Sequence, residues 1–323
     1  LSLTVMLFYV FFVSNSNAEW SKNRYNNEIS KTGIYSFFAE LRNNKLDFKT
    51  FYNSISDEEA FQLIRNNLKD DNVKFLSNDF SIKRKITDSL DLNLKPNVVF
   101  ILMESMSASF MTEFGNEKKI TPFLDSIANQ GMFFRNIQAT GNRTVRGLEA
   151  VTLCLPPTPG ESVVKRKDNK NKFTTGSVFQ SKGYTSKFLY GGDAYFDNMQ
   201  DFFGGNGYEI VDKKSFLPNE ITFENIWGVC DEDMYKKAIS EMNKEANTGK
   251  PFFNHIMTVS NHRPFTYPEG KIDIDPKSKS RSGGVKYTDY ALSQFFAIAE
   301  KQSWYKNTVF VIVADHCASS SGK

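Results

Sequence analysis

From residue 96 onward, apolar residues fall in unbroken runs of strand length, separated by segments with helical spacing. The run "NVVFILM" (97–103) is the first strand, and "TPFLDSIANQG" after it is a helix with Thr121 as N-cap and Pro122 at the first helical position. "FTTGSVFQSKG" and "YTSKFLYGG" read as helix then strand, and "DEDMYKKAISEMNKEA", capped by Asp231, is a helix leading into the strand "PFFNHIMTVS". "TDYALSQFFAIAEKQ" is a helix leading into the strand "TVFVIVA". Strands with so little polar alternation are covered on both faces. The pattern therefore predicts an α/β domain with a doubly wound, mostly parallel sheet and helices on both faces.

The chain before residue 96 is patterned differently. "YNNEISKTGIYSFFAELRNNKLDFKTFYNSISDEEAFQLIRNNLKDD" has helical periodicity for two or three amphipathic helices and no strong strand. Residues 72–95 are charged and without period, and are read as a linker. The opening "LSLTVMLFYVFFV" is apolar but shorter than the ~20 residues a full span needs, and it lacks an initiator Met and a basic n-region. It is read as the end of a membrane span belonging to a longer chain; a signal-peptide apolar region and a buried helix are the alternatives. The expected organisation is an anchor end at 1–15, a helical connector and linker at 16–95, and a catalytic domain at 96–323. That domain is expected to be truncated at its C-terminus, since "VIVADHCASSSGK" stops just after a strand.

Composition refines this picture little. An aromatic content of 14%, with 30 Phe, suits a packed body. A formal charge of +3 is too balanced for a nucleic-acid surface, so no nucleic-acid partner is expected. Cys154, Cys230 and Cys317 form no CxxC pair; one disulfide is allowed, but the sequence does not choose its partners.

In open α/β sheets, ligands bind beyond the carboxyl ends of the strands. Glu104 follows the first strand run, Asp193 the "YTSKFLYGG" run, His262 the "PFFNHIMTVSN" run, and Asp315 with His316 the last. Thr144 reaches the same edge from the helix start in "GNRTVRGLEAVTL". Oxygen ligands with one imidazole suit a divalent cation such as manganese, magnesium or zinc. A threonine hydroxyl is a poor nucleophile until a metal or base withdraws its proton. The helix N-terminus behind Thr144, with Arg143 and Arg146 beside it, adds positive charge suited to a phosphate or sulfate ester. Each residue also has an ordinary reading: Glu104 as a helix-start residue, Thr144 as an N-cap, His255 as a core histidine inside its strand.

"NVVFILMESMSASF", "TPFLDSIANQGMFFRNIQATGNRTVRGLEA", "LPPTPGESVVKR", "FLYGGDAYFDNMQDFFGGNGY", "SNHRPFTYPEG" and "VIVADH" together resemble the alkaline phosphatase–sulfatase superfamily. Within it they resemble the lipoteichoic acid synthase and phosphoglycerol transferase branch, and the helical stretch before residue 72 is similar to that branch's connector. The resemblance implies a metal site of Glu104, Thr144, Asp315 and His316 holding manganese or a similar ion. It implies Thr144 as a nucleophile forming a phosphothreonine, His262 as a contact to the substrate phosphate or an aid to the leaving group, and Asp193 as a substrate contact; Arg143 is taken as a further substrate contact for the charge it brings beside Thr144. Tyr195 stands where the branch would have an arginine. A sulfatase that matures a formylglycine needs Cys or Ser opening a C/S-x-P-x-R motif, whereas "TVRG" offers Thr144 and no proline.

The implied activity is transfer of a phospholipid head group, phosphoglycerol from phosphatidylglycerol, to a glycan or polymer acceptor outside the cytoplasm. The enzyme would sit at the membrane through its N-terminal anchor. The alternatives are a phosphoethanolamine transferase, a phosphate or sulfate ester hydrolase, and a non-catalytic glycan- or lipid-binding relative. The "LPPTPGESVVKR" loop is either a contact for anionic head groups or a plain surface loop.

Overall fold

The computed structural model describes residues 2–43, 52–87, 94–156 and 160–317. The chain divides into two compact units, residues 1–55 with 158–161, and residues 56–157 with 162–323. The smaller unit contains α1 (Ser2–Phe12), α2 (Arg24–Ser30) and α3 (Gly33–Asn43). In α2 the first turn is closed by Asn23, whose side chain accepts from Tyr25 N. No helix among the described residues is long and apolar enough to cross a membrane.

The larger unit opens with α4 (Asp57–Leu68), capped by Ser56 and carrying three acidic residues in its first turn, where they oppose the helix dipole. The stretch read as a linker contains an antiparallel pair, β1 (Val73–Phe75) and β2 (Arg84–Ile86). These strands are only three residues each, too short to show a period. Residues 88–93 of that linker, and 157–159 of the proline-rich loop, lie outside the described residues.

Five strands form the central sheet: β3 (Asn97–Met103), β4 (Thr185–Tyr190), β5 (Glu209–Val211), β8 (Phe252–Met257) and β9 (Thr308–Ala314). Their order is β5-β4-β8-β3-β9, and every pairing is parallel. Between β5 and β8 a two-residue-per-strand hairpin, β6 (Glu224–Asn225) and β7 (Gly228–Val229), forms a ladder of its own.

Alternate residues of one strand feed two cores. Val99, Ile101 and Met103 of β3, with Phe252 and Ile256 of β8, pack with α5 (Pro122–Ala128), α9 (Asp231–Ala246) and α10 (Arg281–Ala299) on one face. Leu102, Phe253 and Met257 face the other way, toward α6 (Thr144–Leu153), α7 (Thr175–Gln180) and α8 (Met199–Gly205). This is the doubly wound sheet that the continuous apolar runs predict. β8 is buried at every position, while β9, at the edge, leaves Val309 and Val311 exposed. Two details differ from expectation. Cys230, not Asp231, occupies the N-cap of α9, and α10 begins at Arg281, seven residues before the apolar period becomes visible.

Candidate metal and phosphoryl-transfer site

Strand register builds the centre of the site. Met103 and Ala314 are partners across β3 and β9, so Glu104 and Asp315, each one residue further on, emerge side by side. The ladder continues one step past the strands, with Asp315 N donating to Met103 O at 3.2 Å. On the other side of β3, Thr258 N donates to Leu102 O (3.1 Å), and the Thr258 hydroxyl accepts from Glu104 N at 2.8 Å.

Glu104, Asp315 and His316 are all buried, with ligand atoms within 4.8 Å of one another. Nε2 of His316 lies 3.4 Å from Asp315 Oδ2 and 3.8 Å from Glu104 Oε1. The adjacent pair reaches one point because the chain turns there, with His316 N donating to Asp315 Oδ1 at 2.7 Å. Asp315 Oδ2 is shut off from solvent and has no hydrogen-bond partner. Burial, and then the neighbouring Glu104 carboxylate, push the Asp315 carboxyl well above its ordinary range. Two buried carboxylates and an imidazole converging around an unsatisfied oxygen fit a divalent cation, which would supply the missing positive charge.

Thr144 is the first residue of α6, and the N-cap position before it is held by Arg143 in extended conformation. The Arg143 carbonyl accepts from Arg146 N (2.9 Å) and Gly147 N (3.1 Å), closing the first turn. The Thr144 hydroxyl is therefore not a cap; it donates to Glu104 Oε2 at 3.1 Å. Ser105, missed in the sequence, completes this shell: its hydroxyl donates to Glu104 Oε1 (2.6 Å) and its N–H to Asp315 Oδ1 (2.8 Å). Arg146 turns away to pair with the fully buried Glu149 at 2.7 Å, while Glu149 also accepts from Val163 N. Arg143 stays exposed beside Thr144 and makes no ion pair among the described residues.

His262 joins Thr144 and Glu104 in lining a solvent-open cleft, with Phe196, Met199 and Trp227 among its walls. Its ring lies against Trp227, centroids 3.6 Å apart, and its Nδ1 is 3.2 Å from the Arg263 carbonyl. The Trp227 indole N–H donates to that same carbonyl. The loop carrying His262 is fastened from behind. Buried Asp231 accepts from Val259 N (2.7 Å) and Ser260 N (3.1 Å), and Thr288 of α10 donates to its other oxygen. Asn261 donates to the carbonyls of Glu104 (2.9 Å) and Ser105 (3.3 Å).

Asp193 stands elsewhere. It is exposed, accepts from Tyr195 N (3.0 Å) and pairs with Lys214 at 3.0 Å, and it does not line the cleft. The Tyr195 N–H and then Lys214 hold its carboxyl below the ordinary range. His255, inside β8, is buried among the rings of Phe100, Phe188 and Phe203. Its Nε2 has no partner, so it is a core histidine, though not a satisfied one.

A parallel sheet with carboxylates, an imidazole and a hydroxyl gathered at its carboxyl edge defines an alkaline-phosphatase-type α/β domain. Residues 96–323 match the sulfatase family, and the chain belongs to it. It is similar to lipoteichoic acid synthase 2 of Bacillus subtilis, 26% identical over 231 residues, which are 68% of this chain and 35% of that protein. Phosphoglycerol transferase I of Escherichia fergusonii is 25% identical over 259 residues, 75% of this chain and 34% of that protein. A solved structure from Vibrio parahaemolyticus, described as a protein in the alkaline phosphatase superfamily, is 43% identical with a TM-score of 0.67, covering 71% of this chain and 56% of that one. The chain spans about a third of the length of the curated relatives it matches.

Proposed function

We propose that this chain is the catalytic part of a membrane-associated phosphotransferase that moves the head group of an anionic phospholipid to a glycan or polymer acceptor outside the cytoplasm. The lipid is phosphatidylglycerol and the group phosphoglycerol. The observation that carries this reading is the Thr144 hydroxyl, at a helix N-terminus, bonded at 3.1 Å to a carboxylate of a buried Glu–Asp–His cluster. The similarity to lipoteichoic acid synthase and phosphoglycerol transferase supports the choice of group.

Glu104, Thr144, Asp315 and His316 would hold the divalent ion, manganese first, with magnesium or zinc as alternatives. When bound, it lowers the pKa of the hydroxyl and offsets charge on the phosphoryl oxygens. Thr144 Oγ1 gives up its proton and attacks phosphorus, the bond from phosphorus to the diacylglycerol oxygen breaks, and that oxygen takes a proton. An acceptor hydroxyl then gives up its proton, attacks the phosphothreonine and frees Thr144. His262, on the cleft wall, is placed to move these protons. Arg143 contributes charge to the phosphate; Asp193, paired with Lys214 and not lining the cleft, is given no part in the transfer. The apolar N-terminal segment would keep the domain near its lipid.

The test is to incubate the full-length protein with manganese and fluorescent phosphatidylglycerol, following diacylglycerol release and the mass of the Thr144 peptide. Diacylglycerol and a phosphoglycerol adduct on Thr144 are expected, and Thr144→Ala should remove both. Equal release by wild type and Thr144→Ala rejects the nucleophile; release only from phosphatidylethanolamine reassigns the head group.

A further inference from the structure

The first turn of α10 contains a cation that the chemistry above does not use. Arg281 is partly buried, its guanidinium 4.8 Å from the centroid of the Phe265 ring. Its Nε and Nη1 are closed off from solvent and have no hydrogen-bond partner. Three residues on, the Gly284 backbone comes so near the catalytic loop that a Cβ there would lie 3.2 Å from both Asn261 Oδ1 and Phe265 Cδ1. Asn261 holds the Glu104 and Ser105 carbonyls, so the start of α10 packs on the loop that borders the carboxylate cluster.

The surroundings of Arg281 on balance disfavour a settled structural cation. Burial lowers its pKa most, Arg263 adds to this, and only Glu104 opposes them. Glu104 is already engaged through both oxygens, by Ser105 and Thr144. Arg263, which follows His262 in the chain, is exposed and makes no ion pair among the described residues; neither does Arg281. A guanidinium does not shed its proton, and the first turn of a helix is the unfavourable end for a cation. A partly buried cation without a carboxylate partner, beside a like charge, is destabilising unless an anion completes the arrangement.

We propose that Arg281 and Arg263 form a second anion subsite next to the Thr144 cleft, one that takes a phosphate group distinct from the one being transferred. Resting on the head-group transfer reading, this phosphate belongs either to the end of a phosphate-bearing polymer acceptor or to a second lipid head group. Both sources present the same chemistry: a tetrahedral oxyanion able to accept several N–H bonds from guanidinium groups.

The experiment uses full-length protein carrying Thr144→Ala, with chelator present, so that neither turnover nor a metal ion contributes. Inorganic phosphate is titrated while calorimetric affinity and Tm are recorded. Phosphate should bind and raise Tm. Arg281→Gln should weaken binding about tenfold or more, Arg263→Gln less, and Arg281→Lys to an intermediate degree. Without phosphate, Arg281→Gln should be at least as stable as the parent, because it removes a partly buried charge without a carboxylate partner. Phosphate affinity unchanged by Arg281→Gln overturns the subsite. So does a ligand-free Arg281→Gln protein that is less stable, with phosphate binding intact, because the arginine would then serve packing. Soluble poly(glycerol phosphate) oligomers and phosphatidylglycerol vesicles are then used as competitors; whichever displaces phosphate is the source, and displacement by neither rejects the substrate assignment. Phosphate binding that depends on Arg281, in a protein that releases no diacylglycerol, keeps the subsite and rejects the transfer reading. Diacylglycerol release with Arg281-independent phosphate binding does the reverse.

Discussion

At Gly147 the Thr144 helix meets the end of β9 with no room for a side chain: a Cβ would lie 2.4 Å from the Asp315 carbonyl oxygen. Helix propensity alone would favour Gly147→Ala by about 1 kcal/mol. Overpacking against a fixed carbonyl costs about 1–3 kcal/mol and should win. The variant is expected to show a lower urea midpoint and roughly tenfold weaker manganese binding, because relief requires α6 to carry Thr144 away from Glu104. An unchanged midpoint and metal affinity would mean that the approach is looser than drawn. His255 makes a separate residue-scale prediction. Burial lowers its pKa to about 3, against about 6.5 when free. The unfolded chain therefore binds more protons as pH falls from about 6.5 toward 3, and stability is lost over that window. At pH 4.5 the loss from this group is about 3 kcal/mol. Urea unfolding of His255→Phe at pH 7 and 4.5 should show a much smaller drop than wild type.

At the scale of elements, the loop bearing His262 is fixed by two helices that meet at Asp231. Its carboxylate spends both oxygens on Val259 N, Ser260 N and the Thr288 hydroxyl. Asp231→Ala should cost about 3 kcal/mol or more and speed amide exchange at Val259 and Ser260, with KM rising as the cleft wall loosens. Exchange rates unchanged at those two amides would rule out this fastening role. The same residue shows how far an element can be read from its sequence. "DEDMYKK" announces a helix start, and Asp is a favoured cap, yet the side chain is taken by a loop 28 residues later in the chain. The beginning of α10 was hidden by Gly283–Gly284, poor helix formers that are required because α10 packs closely on the loop containing Asn261, Phe265 and Tyr267. The hairpin that presents Trp227 has strands of two residues, below the length at which any period shows.

For the whole molecule, the sheet was legible because its middle strands are buried on both faces and so read as continuous apolar runs. The convergence of Glu104, Thr144, Asp315 and His316 was legible because strand ends in a parallel sheet share one edge. The supporting bonds from Ser105, Thr258 and Asn261 were not, since serine, threonine and asparagine are ordinary loop residues until a partner is known. Asp193 shows the limit of the strand-end rule: it follows its strand as expected but turns to Lys214. The carboxylate cluster also predicts how stability responds to a cation. The raised Asp315 carboxyl favours the protonated folded state, so chelator-treated protein should lose stability from this group as pH rises above the ordinary Asp range. Manganese should remove that loss, so the metal-induced rise in Tm grows with pH, the stabilisation being about 2.7 kcal/mol at one hundred times Kd. A metal effect on Tm that is flat with pH would detach Asp315 from the ion.

The Met103–Ala314 pairing has a consequence for how the molecule comes to be active. The two carboxylates adjoin only when β3 and β9, some two hundred residues apart in sequence, have zipped in one alignment. A slip of a single residue moves one carboxylate by about 3.3 Å and turns it to the opposite face. An ion held there would therefore act as a proofreader of chain assembly, retained by correctly aligned molecules and refused by the rest. Catalytic competence would then appear only after β9 is in place.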